Sequence, residues 1–237
     1  MSRSASNAAA AAPKEAAGEA RSLAEGAYAE IKRRILSNEY PGGFQILEDA
    51  LCEELGMSRT PLREGLMRLQ NEGLIEVLPR RGMRVLPLTA DDIADIYEVI
   101  SALELLAART LASLPDNAGP VSRLQAEVIE MERALERDDL DGWAVADERF
   151  HRILADESGN PRLATAARTL LDQSQRFRIF TLRMREKPTS STRNHRQLVQ
   201  AIRRHDADGA VKCHATHRRS WEENMYGLMR RFGIRQI

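Results

Sequence analysis

The sequence predicts a mainly α protein in two parts, a small three-helix unit closed by a β-hairpin and a larger all-α antiparallel helical bundle. Three observations carry this. Over 23–88, helical periods alternate with Gly- and Pro-containing breaks, and two short apolar runs flank Pro79-Arg80-Arg81-Gly82. From Thr89 onward apolar residues recur at helical spacing and no strand signal follows. At 237 residues the chain is long enough to fill two cores.

Taken in order, residues 1–22 are Ala-rich with scattered Ser, Lys and Glu and lack a secretory signal's compact apolar segment, which predicts a disordered tail. Ala27, Ile31 and Ile35 then share one face of a helix over 23–36. Asn38-Glu39-Tyr40-Pro41-Gly42-Gly43 ends it, and Phe44 and Ile46 form a short apolar stretch. A second helix over 48–55 turns Leu47, Leu51 and Leu55 inward. Gly56 can take the positive φ that ends this helix, and Ser58 is the expected N-cap of a third, which stops near Glu72. Pro61 costs little there, because first-turn amides have no intrahelical acceptor to lose. Leu62, Leu66 and Leu69 make the buried face, which sends Arg59 and Arg63 outward together. Strand-like runs at 74–78 and 83–86 enclose the basic tip. Three helices and such a hairpin make a winged helix-turn-helix over 23–88.

The second part opens on Thr89 and Asp92, spaced as a capping box, followed by a long amphipathic helix through Ile93, Ile96, Ile100, Leu103 and Ala107. Further helical segments cover 117–137, 140–157, 161–185, 191–204 and 207–232. Pro115, Gly159-Asn160-Pro161, Lys187-Pro188 and His205-Asp206 mark their limits. Such a run packs as an antiparallel bundle.

Composition narrows the partners. The net charge is zero, so no general affinity for nucleic acid follows from it. The distribution matters more: Arg59, Arg63, Arg68, Arg80, Arg81 and Arg84 face only Glu64, Glu72 and Glu76 in the same stretch. A narrow basic edge results, weak in one copy and useful in two, which fits double-stranded DNA read by a homodimer. Two arginines near the start of an exposed helix suit the major groove, and the Arg81-Gly82 tip can approach the backbone; the same pair alone also fits a solvated helix face. Cys52 and Cys213 imply no disulfide framework, in keeping with a reducing cytoplasm. No apolar run approaches the roughly 18 to 20 residues of a membrane span.

One constellation carries metal chemistry. Asp147 and His151 are four apart on one helix face, where they form either a hydrogen-bonded core pair or two ligands of one ion. His195 and His217 sit on two later helices among apolar neighbours. Three imidazoles and a carboxylate make an N3O set suited to Zn, Ni or another divalent transition metal. A metal-dependent hydrolase could use the same set, yet no general base or substrate motif stands near it. A metal-sensing regulator is the other alternative.

Tyr40-Pro41-Gly42-Gly43, the run from Leu55 to Glu64, Leu69 to Ile75 and Arg81-Gly82-Met83-Arg84-Val85 resemble the DNA-binding domain of GntR-type bacterial transcription regulators. The resemblance implies operator contacts by Arg59, Thr60 and Arg63 and by the wing near Gly82. Asp147 to His151 with Gly159-Asn160-Pro161, Asn194-His195 and His217 resemble the FCD ligand domain of the FadR subgroup, over 89–237. That resemblance implies a metal held by Asp147, His151, His195 and His217, a small carboxylate effector, and a ligand-responsive regulator of a metabolic or catabolic operon rather than an enzyme. The spacing from His195 favours His217 over His214 as the last ligand. Two departures stand out: Ile100 replaces a frequent Arg, and Asn194 replaces a frequent Glu. Arg176, Arg178 and Asn194 are therefore the candidate effector contacts.

Overall fold

The computed structural model describes residues 12–237, with side chains from residue 22 onward. It divides into two compact units, one ending at Pro87 and the other spanning Leu88–Ile237.

The first unit contains α1 (Ala12–Leu36), β1 (Gln45–Ile46), α2 (Glu48–Leu55), α3 (Arg59–Asn71), β2 (Ile75–Leu78) and β3 (Gly82–Val85). Helix α1 spans Ala12–Leu36, longer than the 23–36 expected from the apolar spacing. Of the disordered tail expected over 1–22, residues 1–11 lie outside the described residues. Ala27, Ile31 and Ile35 are fully buried against Leu51, Leu62, Leu66 and Leu69. Gly65 lets α1 and α3 cross closely, since a Cβ there would lie 3.0 Å from the Tyr28 amide nitrogen. Leu47, expected inward, is 56% exposed, because it precedes α2 and has no helical turn to set its direction.

The turn between α2 and α3 is built as its residues dictate. Gly56 takes φ 63° and caps α2, while Ser58 occupies the extended N-cap position of α3 without a side-chain capping bond. Strand β3 is central in an antiparallel sheet of order β1-β3-β2. Its register pairs Leu78 with Gly82 and Ile46 with Met83. Gly82 has φ 78°, and a Cβ on it would lie 2.7 Å from the Glu48 nitrogen and overlap the Ile46 carbonyl, so only glycine fits. At the hairpin tip the Arg81 amide donates to the Leu78 carbonyl at 3.0 Å across Pro79 and Arg80, the latter at φ 61°.

The second unit contains α4 (Ala90–Ser113), α5 (Ala118–Glu136), α6 (Leu140–Asp156), α7 (Pro161–Thr181), a 3-10 turn (Leu182–Met184), α8 (Thr189–Arg203) and α9 (Ala207–Phe232). The Thr89 hydroxyl accepts from the Asp92 amide at 3.1 Å and the Asp92 carboxylate accepts from the Thr89 amide at 2.9 Å, the reciprocal capping box. Asp139, Asn160 and Asp206 cap α6, α7 and α9 through their side chains. Helix α5 packs on α6, α4 on α9, and α8 on α9 and α5.

The bundle's apolar interior is split in two. One cluster joins Leu111, Leu124, Phe150, Val199 and their neighbours; the other joins Ile93, Tyr97, Ile100, Phe177 and Met225. Along α4 the two are separated by Glu104, and along α9 by His214, His217 and Arg218, all buried. A polar layer inside a helical bundle needs internal partners, because each unpaired buried charge is costly.

Candidate metal centre and DNA-contact face

The four expected metal ligands meet in this layer. Asp147 and His151 project from α6, His195 from α8 and His217 from α9, and all are buried. Ring nitrogens of His151, His195 and His217 lie within 4.8 Å of one another. The Asp147 Oδ1 is 2.8 Å from His195 Nε2 and 3.8 Å from His151 Nε2. Ligands about 2.1 Å from one shared ion stand about 3 to 4 Å apart, so a small contraction completes the set.

The surrounding groups fit a metal as well. Asp147 turns its other oxygen to the Arg178 guanidinium, leaving Oδ1 among the imidazoles. Glu104 Oε1 is 2.9 Å from His151 Nδ1, which directs the His151 Nε2 edge toward Asp147. The Glu104 carboxylate also takes Arg218 Nε at 2.7 Å and His214 Nε2 at 2.7 Å. Burial alone would raise the pKa of both carboxylates; Arg218 and His151 hold Glu104, and Arg178 and His195 hold Asp147, well below the ordinary range instead. Burial, partly offset by Glu104, lowers the His151 pKa to about 4, and burial also holds His217 well below the ordinary imidazole value, both of which favour the neutral, ligating form. His214 is bound to Glu104 and stands behind the triad, which leaves His217 as the member facing it.

Beside the triad is a cavity of about 10 Å³, room for about one water or ion. Its buried lining, which we call the floor, includes Asp147, His151 and His217 together with Arg178 and Arg218; the half-buried lining residues Arg185, Ser191 and Trp221 make the solvent-side rim. Of the expected effector contacts, Arg178 lines this cavity. Arg176 is buried but does not line it, and half-buried Asn194 does not line it either. Residues two apart on α7 point about 200° apart, so Arg176 and Arg178 cannot serve one site together.

Glu104, Arg218 and Arg185 escape the sequence reading. A signal existed for Glu104: it stands at the i+4 position from Ile100 and three before Ala107, where the inward face of α4 is otherwise apolar. An acid on such a face implies a buried cationic partner.

In the first unit, Arg59, Thr60 and Arg63 are exposed at the start of α3. The Arg59 guanidinium donates to Asp49 at 2.6 Å and Arg63 Nε lies 2.8 Å from Glu48, so the first turn of α2 holds both arginines. Such exposed pairs are weak and exchange readily for phosphate. Arg81 is exposed on the hairpin, whereas Gly82 is buried beneath β1 and acts on the tip's shape.

Comparison with known proteins agrees with the two-unit fold. Residues 23–85 match the bacterial regulatory proteins of the gntR family and residues 95–220 match the FCD domain. The chain is 46% identical over 130 residues to an uncharacterized HTH-type transcriptional regulator in the TAR-I ttuE-ttuC' intergenic region of Agrobacterium vitis, covering 54% of this chain and 76% of that one. It is 28% identical over 183 residues to the gluconate operon transcriptional repressor of Bacillus subtilis, covering 75% and 74% respectively. The fold matches E. coli McbR/YncC with a TM-score of 0.74 at 20% identity, over 86% of this chain and 97% of that one. No helix among the described residues is long and apolar enough to cross a membrane. A winged three-helix unit and a helical bundle with a buried histidine layer, matched by these two domains in this order, make the chain a GntR-family transcription regulator with an FCD domain rather than an enzyme.

Proposed function

We propose that the chain is an effector-gated operator-binding regulator whose FCD unit holds a divalent transition metal, Zn or Ni by its donor set, and uses it to bind a small carboxylate. The carrying observation is the convergence of His151, His195 and His217 with Asp147 in a buried layer ordered by Glu104 and Arg178. The metal supplies a Lewis-acidic centre with positions open to oxygen ligands. This chain's residues do the rest: Asp147 and the three imidazoles hold the ion, Glu104 fixes the His151 ring, and Arg178 holds Asp147.

The cavity has room for about one water, so an organic acid enters only by moving the groups that line it. That displacement ties occupancy to helix packing, and an effector that prefers the shifted packing changes its population. In a homodimer, Arg59, Thr60 and Arg63 of two copies read the two halves of an operator while Arg81 steadies the backbone. Half-site spacing is fixed, so a change of packing that spoils simultaneous docking removes most of the affinity. The gluconate operon repressor among the relatives supports a metabolic operon as the target.

The test is fluorescence anisotropy with palindromic DNA from the protein's own locus, titrated with metal and then with carboxylates. A carboxylate-dependent change in DNA affinity that needs the metal supports the reading. A response to metal alone makes the protein a metal sensor, and no preference for any palindrome removes the operator assignment.

A further inference from the structure

The cavity beside the histidine layer carries more positive charge than its own acids answer. Asp147 pairs with Arg178 and Glu104 pairs with Arg218, one for one. Arg185 lines the same cavity and is left over. Among the described residues it has no carboxylate partner within ion-pair distance: its Nε is buried without a hydrogen bond, and its terminal nitrogen makes only a long 3.4 Å donation to the Arg178 carbonyl. Burial first and the Arg178 cation second press its pKa down, and Asp147 and Tyr97 offset this only in part.

The placement separates two anion positions. The metal ligands lie on the buried floor, while Arg185 and Ser191 are half-buried at the rim. Three guanidiniums, Arg178, Arg185 and Arg218, thus meet two carboxylates, Asp147 and Glu104, and a divalent cation on the floor adds to that positive excess. A monocarboxylate on the metal leaves Arg185 unanswered in a poorly hydrated site. A molecule with a second anionic group at its far end answers both.

We propose that the effector is a small organic dianion, a dicarboxylate in its simplest form, with one carboxylate on the metal and the other held at the rim by the Arg185 guanidinium and the Ser191 hydroxyl. This rests on the metal-assisted reading above and adds to it the effector's charge class and the two residues that select it. Trp221, half-buried at the same rim, offers an apolar wall for the short carbon chain between the two carboxylates.

Calorimetric titration of the full-length, metal-loaded protein with succinate and glutarate, against butyrate and acetate, tests it. The wild type is expected to bind at least one dicarboxylate about tenfold or more tighter than either monocarboxylate, as suits a charge-assisted bond in a dry site. Arg185→Gln is expected to lose that preference while holding metal and binding butyrate within about twofold of wild type; Ser191→Ala reduces the preference by a smaller factor. Arg185 has no ion pair to lose, so the variant retains its fold, which its melting temperature checks. Equal binding of both acid classes, a preference that survives Arg185→Gln, or no binding with metal in place overturns the proposal. Native mass spectrometry of the same sample reads the metal separately. Should it find none, the metal reading fails by itself, and the same titration on the metal-free protein still decides whether Arg185 selects dianions.

Discussion

Glu104 is the side chain on which the buried layer turns, and removing its charge by Glu104→Gln has a calculable consequence. The carboxylate is fully buried, and it answers the Arg218 guanidinium, whose side chain is 6% exposed, together with His151 and His214. Breaking a buried pair by neutralising one partner costs about 3 to 5 kcal/mol, because the other charge is left uncompensated. For a protein unit of this size each kcal/mol shifts the melting temperature by about 2 to 4 °C, so the metal-free variant is expected to melt roughly 6 to 20 °C lower. The His151 ring also loses its charged anchor, which costs about 10- to 100-fold in metal affinity. Thermal unfolding followed by circular dichroism in a chelator reads the first effect, and competition with a chromogenic chelator reads the second. Combining Glu104→Gln with Arg218→Met removes both charges and should recover much of the lost stability. If Glu104→Gln melts within about 3 °C of wild type and binds metal equally well, the layer is not organised by this carboxylate and the reasoning fails.

Other outcomes follow from the same geometry. Gly82→Ala imposes a side chain at φ 78° and drives a Cβ into the β1–α2 backbone, about 1 to 3 kcal/mol for the conformation and about 1 to 3 kcal/mol for the overlap, so a lowered denaturation midpoint of the first unit is expected. Arg63→Ala should weaken operator binding about tenfold or more and flatten its salt dependence, measured by anisotropy at several ionic strengths; unchanged binding would mean that α3 is not the reading helix. In the metal-free protein, His151 has a folded pKa of about 4 against 6.5 when unfolded. Between those values the unfolded chain holds a proton the folded one does not, so stability rises with pH and is lost as pH falls from about 6.5 to about 4, by about 3 kcal/mol for this ring. Urea unfolding at pH 7 and pH 4.5 checks the sign, and His151→Gln should reduce the slope.

Local chemistry made much of this legible. The limits of α2 and α9 follow from Gly56, Asp206 and Gly233, and Thr89 with Asp92 announces α4 ahead of its first buried side chain, Ile93. The convergence of Asp147, His151, His195 and His217 was readable because Asp147 and His151 are one turn apart and histidine is scarce in this chain. Strand β1 was not readable as a strand, since two residues hold no alternation and only pairing with Met83 and Arg84 defines it. The partners of the centre were hidden for a related reason. Whether Arg176 or Arg178 faces inward depends on the rotation of α7 about its axis, and Glu104 meets Arg218 from 114 positions away. Such pairs are fixed by tertiary packing and leave at most a charged residue on an apolar stripe as their trace.

The most direct measurement is native mass spectrometry of the intact protein, freshly purified without chelator, beside His195→Ala and His217→Ala. One divalent transition-metal ion per chain in the wild type, absent from both variants although each remains folded, is the expected result. A wild-type chain that takes up no ion even when offered excess Zn or Ni, or variants that keep it in full, would contradict the claim that the buried histidine layer is a metal centre.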